Sequence, residues 1–118
     1  MNRVLLIEDD ASSAKLLANY ISADLPIELC IAESLVGIES TNADVVLLDL
    51  RLPPKFTADE ALQKVKDIPA KVIILTASLD HDVEQKSYDA GAVAFFRKID
   101  VIENPKLLRE AILQFLPK

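Results

Sequence analysis

VVLLDLRLPP, residues 45–54, contains the most informative strand of the sequence. Its first four residues are apolar without alternation, which is typical of a strand buried on both faces of a parallel sheet. The next residue is Asp49, and an ionised carboxylate beside apolar surroundings is costly unless other groups compensate it. This carboxylate is therefore a candidate functional group.

Further short apolar runs alternate with longer segments of helical period, which indicates βα units and a parallel sheet. The predicted strands are 3–7, 27–31 at an edge, 44–48, 71–75 and 93–96. The predicted helices are 11–24, 34–40 as a weaker one, 57–66, 80–90 and 104–116. We therefore expect an α/β protein with a (βα)5 doubly wound, five-stranded parallel sheet.

Apolar residues at helical spacing predict which helix faces turn toward the sheet. These residues are Ala14, Leu17, Ala18, Ile21, Ala61, Leu62, Val65, Leu107, Leu108, Ala111, Ile112 and Phe115. Thr57 and Glu60 stand in capping-box positions, and Gly91 is expected to end the helix before it. Phe96 is expected in the core.

Composition limits the classes of protein that fit. At 118 residues and 51% hydrophobic content, residues 1–118 fit one domain with its own core. The net charge of -6 argues against direct binding of nucleic acid. The apolar run 4–7 is too short for a signal peptide or a membrane span, so we expect a cytoplasmic protein without a membrane partner. The single cysteine, Cys30, excludes an internal disulfide and is expected to be a buried hydrophobe.

Polar residues follow four of the predicted strands, at the edge where open parallel sheets bind ligands. They are Glu8, Asp9, Asp49, Thr76 and Lys98. Clustered carboxylates raise one another's pKa, and a hard divalent cation such as Mg²⁺ relieves their repulsion. Asp49 is then a nucleophile for a phosphoryl group, while the metal, the Thr76 hydroxyl and the Lys98 ammonium neutralise the transferring oxygens.

At these residues the sequence resembles the receiver domains of two-component response regulators, over essentially the whole chain. VLLIEDD resembles the first strand of that family with its acidic pair, and DVVLLDLRLP resembles the phosphoacceptor strand and loop. VIILTAS resembles the fourth strand with its hydroxyl residue, and AGAVAFFRK the fifth strand with a switch aromatic and a lysine. The resemblance implies a flavodoxin-like sheet of strand order 2-1-3-4-5.

The resemblance also implies roles for the acidic residues. Asp49 is the phosphoacceptor, Asp9 a direct metal ligand, and Glu8 acts on the metal through water. The backbone carbonyl of Arg51 completes the metal shell.

Thr76 is expected to bind the phosphoryl group, Phe95 to be the aromatic switch, and Lys98 to be the family's lysine. The resemblance implies a sensor histidine kinase or a histidine phosphotransfer protein as donor. It implies no enzymatic activity beyond self-phosphorylation and self-dephosphorylation. The readout surface, which also suits a homodimer, is expected on the helix 80–90, the strand 93–96 and the helix from residue 104.

Two departures from the family pattern lie near the predicted site. Ile99 follows Lys98 where the family usually has a proline in a cis bond, so we expect a trans bond and a differently shaped loop. Pro53 and Pro54 stand where a glycine-rich loop is common, and they should make this segment stiffer.

Other classes of protein share some of these residues. The main alternative is a degenerate receiver-like module that acts only through protein contacts. A flavodoxin-like cofactor binder is disfavoured because EDDASS places anionic groups where phosphate would bind. A haloacid-dehalogenase-type phosphatase is also disfavoured, because that family needs a second aspartate two residues after the nucleophile and this position is Arg51. His81 is expected to be a solvated helix-end residue, and Asp10 the cap of the first helix.

Overall fold

The computed structural model describes residues 2–22, 27–33, 37–50, 58–77 and 81–117. Its strands are β1 (Asn2–Ile7), β2 (Ile27–Ala32), β3 (Val45–Asp49), β4 (Lys71–Thr76) and β5 (Ala94–Arg97). Its α-helices are α1 (Ala11–Ser22), α2 (Ala58–Val65), α3 (His81–Asp89), α4 (Lys98–Glu103) and α5 (Lys106–Phe115). A short 3₁₀ turn covers Ile38–Ser40.

The five strands form one parallel sheet in the order β2-β1-β3-β4-β5, which confirms the predicted fold class. The strand β3 lies between β1 and β4, and all five of its residues are buried. From β1 the chain passes to β2 on one side and then to β3 on the other. The carboxyl ends of β1 and β3 therefore flank the point where open α/β sheets bind ligands.

Each face of the sheet carries its own apolar core, because neighbouring residues of a strand point to opposite faces. One core joins the sheet to α2 and includes Val46, Leu48, Ala61, Leu62, Val65, Ile74 and Phe95. The other joins it to α1, α4 and α5 and includes Val45, Leu47, Ile73, Leu17, Ile21, Val101, Leu108 and Ile112. The doubly wound arrangement follows from strands that are apolar on both faces.

Most predicted elements are confirmed to within two residues. Gly91 has a φ of 112° just beyond α3, which is the backbone conformation expected at a helix end. The predicted helix 34–40 is present only as the 3₁₀ turn, and residues 34–36 lie outside the described residues. Thr57 of the predicted capping box lies outside them as well. None of the described helices is long and apolar enough to cross a membrane.

Three predictions about the core and its boundaries are wrong. The segment after Lys98 is the helix α4, where a loop was expected. Cys30 is exposed, because β2 is an edge strand and only the short 3₁₀ turn lies on that side among the described residues. Leu107 was predicted to face the core and is exposed. Phe96 and Phe115 are partly buried against the core on the α1 side.

Candidate functional site

Three carboxylates meet at the carboxyl ends of β1 and β3. Glu8, Asp9 and Asp49 each place a carboxylate oxygen within 4.8 Å of the other two. Glu8 is 3% exposed and Asp49 is 1% exposed. The structure thus brings together the acidic residues that the sequence placed at this edge.

Lys98 lies among these carboxylates. Its Nζ donates hydrogen bonds to Glu8 Oε2 at 2.8 Å and to Asp49 Oδ2 at 3.0 Å. Lys98 is the first residue of α4 and directly follows β5, so the strand-to-helix junction holds the ammonium over the two buried acids. One cation therefore offsets part of the charge of three carboxylates.

Two residues of the cluster, Glu8 and Lys98, have altered pKa values. Burial, together with the neighbouring Asp49, raises the pKa of Glu8 to about 7. Burial alone would lower the pKa of Lys98, but its hydrogen bond to Glu8 and the charge of Asp49 raise that pKa above its ordinary value. Lys98 therefore stays charged at neutral pH, whereas Glu8 titrates there.

Asp10 does not join the cluster, because its carboxylate caps α1 as predicted. It accepts hydrogen bonds from the backbone N–H of Ser12 at 3.2 Å and from Ser13 Oγ at 2.9 Å. These hydrogen bonds, that of Ser13 first, lower the pKa of Asp10. The backbone N–H of Asp10 donates to Glu8 Oε1 at 3.3 Å and so helps to orient the buried acid.

Thr76 and Phe95 lie on β4 and β5, the two strands beyond β3. Thr76 is the last residue of β4, is buried, and follows Leu75, the register partner of Asp49. Phe95 is 8% exposed and belongs to the core on the α2 side of the sheet. Arg51, Pro53 and Pro54 lie outside the described residues.

The donor set fits a hard divalent cation. Three carboxylates supply oxygen ligands, and one lysine leaves the cluster with an excess of negative charge. Sulfur and nitrogen donors, which softer metals prefer, are absent from this group of ligand atoms among the described residues. The residues are therefore suited to Mg²⁺.

One neighbour of the site was not singled out from the sequence. Arg97 is the register partner of Thr76 and lies on the same face of β5 as Phe95. Strand alternation was the available signal, because residues 95 and 97 must share a face once Phe95 is placed inward.

A flavodoxin-like parallel sheet with an acidic cluster and a lysine at its switch point defines a class of α/β proteins that bind ligands there. A model of the response regulator receiver domain matches residues 4–113. The chain belongs to this family, the receiver domains of two-component response regulators.

Individual relatives are similar over different shares of their length. Sporulation initiation phosphotransferase F of Bacillus subtilis is 31% identical, over 99% of this chain and 96% of that protein. The protein-glutamate methylesterase/protein-glutamine glutaminase of Pyrococcus abyssi is 32% identical over 81% of this chain. The match spans 28% of that relative's length.

A solved structure shows the same fold. The response regulator domain of Thermotoga maritima CheB superposes with a TM-score of 0.78 at 23% identity. The superposition covers 98% of this chain and 96% of that one.

Proposed function

We propose that this receiver domain accepts a phosphoryl group on Asp49, in a Mg²⁺-dependent reaction, from the phospho-histidine of a sensor kinase or a histidine phosphotransfer protein. The observation that carries the proposal is the position of Asp49. Its carboxylate is 1% exposed, ends the central strand and is hydrogen-bonded to Lys98 within an acidic cluster. Burying a carboxylate costs free energy, so this residue is a better candidate for a functional group than an aspartate in a solvent-exposed turn would be.

The chain's own residues divide the work of transfer. A carboxylate oxygen of Asp49 attacks phosphorus, the P–N bond of the donor breaks, and the donor imidazole leaves with its electron pair and takes up a proton. The Lys98 ammonium already contacts Asp49 and neutralises charge on the transferring oxygens. The Thr76 hydroxyl, at the end of the neighbouring strand, donates a hydrogen bond to the bound phosphoryl group.

Glu8, Asp9 and Asp49, with the backbone carbonyl of Arg51, would hold the Mg²⁺. When bound, this cation supplies positive charge that offsets the phosphoryl oxygens. By the family resemblance, Asp9 would bind the cation directly and Glu8 would act through water. The excess of carboxylates over lysine in the cluster supports the assignment.

The phosphoryl group then acts on a surface of the domain. It draws the Thr76 hydroxyl toward Asp49, the Phe95 ring, which is already buried, packs against the space that this vacates, and the surface of α3, β5 and α5 reports the change. A partner protein or a second copy of the chain would bind this surface. No methylesterase activity is proposed, because the match spans less than a third of the length of the Pyrococcus abyssi relative.

A degenerate binding module is the second candidate function. It is favoured by Lys98, which already bridges Glu8 and Asp49 and so partly neutralises the pocket without a metal. Such a module would use the same surface without turning over phosphate.

Labelling by acetyl phosphate tests the proposal and separates the two candidates. Wild-type protein should take up one phosphoryl group with Mg²⁺ present and none with excess chelator, as measured by intact mass. Asp49→Asn keeps the size of the side chain and should not be labelled. Asp67→Asn, an exposed aspartate outside the cluster, is the matched control and should label at the wild-type rate. Equal labelling of Asp49→Asn would refute the assignment, and no labelling of wild type would favour the degenerate module.

A further inference from the structure

Arg97 makes an unusual set of contacts at the junction of β5 and α3. Its guanidinium carbon lies 5.3 Å from the centroid of the Phe95 ring. Its Nη1 is 3.9 Å from Glu84 Oε1 on α3. Its Nη2 is buried and has no hydrogen-bond partner among the described residues. The side chain as a whole is 21% exposed, so this guanidinium is packed and incompletely satisfied.

The Phe95 ring offers the Arg97 guanidinium a favourable contact in place of the hydrogen bond that its Nη2 lacks among the described residues. A cation over the face of an aromatic ring is attracted by the ring quadrupole, and the attraction is larger where water is excluded. Phe95 and Arg97 are two residues apart on one strand and share a face, so the ring lies between the core and the guanidinium. If the ring left, Arg97 would lose the contact that accommodates its buried charge.

The contact with Arg97 also favours the inward position of the Phe95 ring. Turning Phe95 outward would remove it from the core on the α2 side and would require the guanidinium to move aside. Moving the guanidinium would in turn separate it from Glu84 and so from α3. The position of the ring and the link between β5 and α3 are therefore coupled.

We propose that Arg97 is a positioning residue for Phe95: its guanidinium holds the ring inward and, through Glu84, ties the position of the ring to helix α3. Arg97 is also the register partner of Thr76, so the residue that contacts Glu84 on α3 lies beside the end of β4. The inward position of Phe95 is thus favoured before any phosphorylation. The inference concerns the unphosphorylated protein and stands independently of the proposed phosphoryl transfer.

Side-chain NMR of the unphosphorylated domain tests this proposal. The χ1 rotamer populations of Phe95 are measured from three-bond couplings and from contacts between its ring and the Ile74 methyl groups. Wild type should show one dominant inward rotamer. Arg97→Ala should raise the outward population about three- to tenfold, because the cation–π contact is lost.

Three further variants complete the test. Arg97→Lys keeps the cation but not the planar guanidinium, and should restore part of the inward population. Glu84→Gln should shift the populations in the same direction as Arg97→Ala, by less. Arg3→Ala is the matched control, since it removes a strand arginine and its 3.3 Å ion pair with Glu28 at the other edge of the sheet.

The outcome does not depend on stability alone. If Arg97→Ala lowers the thermal midpoint but leaves the Phe95 rotamers as in wild type, Arg97 only supports the fold and the proposal is wrong. Should Arg97→Ala not fold, Glu84→Gln carries the decision, and unchanged rotamers in that variant overturn the coupling to α3.

Discussion

Two neighbouring cations, Lys98 and Arg97, bind acidic partners at different places: Lys98 at the carboxyl ends of β1 and β3, and Arg97 on helix α3. Lys98 lies 2.8 Å and 3.0 Å from oxygens of two buried carboxylates. Arg97 lies 3.9 Å from Glu84, whose side chain is 45% exposed. Solvent screens exposed charges much more than buried ones. The contacts of Lys98 with its two carboxylates are therefore a strong electrostatic constraint, and the Arg97–Glu84 ion pair is a weak one. We therefore expect the loss of Lys98 to disturb the acidic cluster far more than the loss of the Arg97–Glu84 ion pair disturbs the fold.

The pocket formed by Glu8, Asp9, Asp49 and Lys98 has an excess of negative charge, whereas the Arg97–Glu84 surface pair has none. Of the two, the pocket should therefore bind a divalent cation. We expect Mg²⁺ to bind wild type with modest affinity, since few protein ligands and several waters are typical of that ion. Asp9→Ala should abolish this binding in a metal titration followed by NMR. Asp67→Ala should bind as wild type, and unchanged binding by Asp9→Ala would exclude Asp9 as a ligand.

Removal of Lys98 should have the largest effect on stability. Lys98→Met leaves Glu8 and Asp49 buried together without a cation, which should lower the free energy of unfolding by about 3 kcal/mol at pH 8. Addition of Mg²⁺ should recover part of this loss, because the metal replaces the missing positive charge.

The matched control for this variant is Lys64→Met. Lys64 lies 3.9 Å from Glu39, and the two side chains are 41% and 53% exposed. Removing it should cost less than about 1 kcal/mol in the same urea denaturation experiment. Equal losses for the two variants would show that burial does not distinguish the two lysines.

The raised pKa of Glu8 makes the stability of the acidic cluster depend on pH. The pKa is about 7 in the folded chain, against 4.5 for the ordinary carboxyl, so the unfolded chain releases this proton first as pH rises. The contribution of Glu8 to stability is therefore fully present below pH 4.5 and is lost as pH rises through about 7. The full loss is about 3 kcal/mol at most, at 1.36 kcal/mol per pKa unit.

Glu8→Gln removes this titration. The variant should be more stable than wild type by about 1 to 3 kcal/mol at pH 8 and nearly equal to it at pH 4.5. Urea denaturation at the two pH values measures the difference, with Glu39→Gln as an exposed control. A stability difference that does not change with pH would mean that Glu8 keeps its ordinary pKa.

The smallest expected effect is that of Glu84→Gln on the surface pair. Because the ion pair is long and partly exposed, the free energy of unfolding should change by less than about 0.5 kcal/mol. Thermal denaturation in low salt checks this. A loss close to that of Lys98→Met would contradict the contrast between the two cations.

Much of the pocket was predictable because strand ends are easy to locate. Unbroken apolar runs end at Ile7, Leu48 and Leu75, so the polar residues that follow them must meet at one edge of a parallel sheet. Lys98 followed from the same rule at β5. The positions of the strand ends do not predict that Lys98 donates to two carboxylates at once. Those hydrogen bonds depend on where the helix α4 begins.

The errors fall where periodicity gives little information. Only Val101 of α4 is buried, so no apolar stripe announces that helix, and its exposed Ile99 and Ile102 suggest no single face. Cys30 is apolar by type but lies on the edge strand β2, where no full helix covers it among the described residues. Whether an apolar residue is buried there depends on the tertiary cover, which local sequence does not specify.

The site of phosphorylation itself can be located by reductive trapping of the acyl phosphate with borohydride, followed by peptide mass spectrometry. After reaction with acetyl phosphate and Mg²⁺, the reduced residue should be Asp49 alone, because its carboxylate ends the central strand β3, is bound to Lys98 and stands at the phosphoacceptor position that the family resemblance implies. Chelator should remove the signal. Trapping at Asp9, at Glu8 or at any residue outside the pocket would contradict the assignment of Asp49 as the phosphoacceptor.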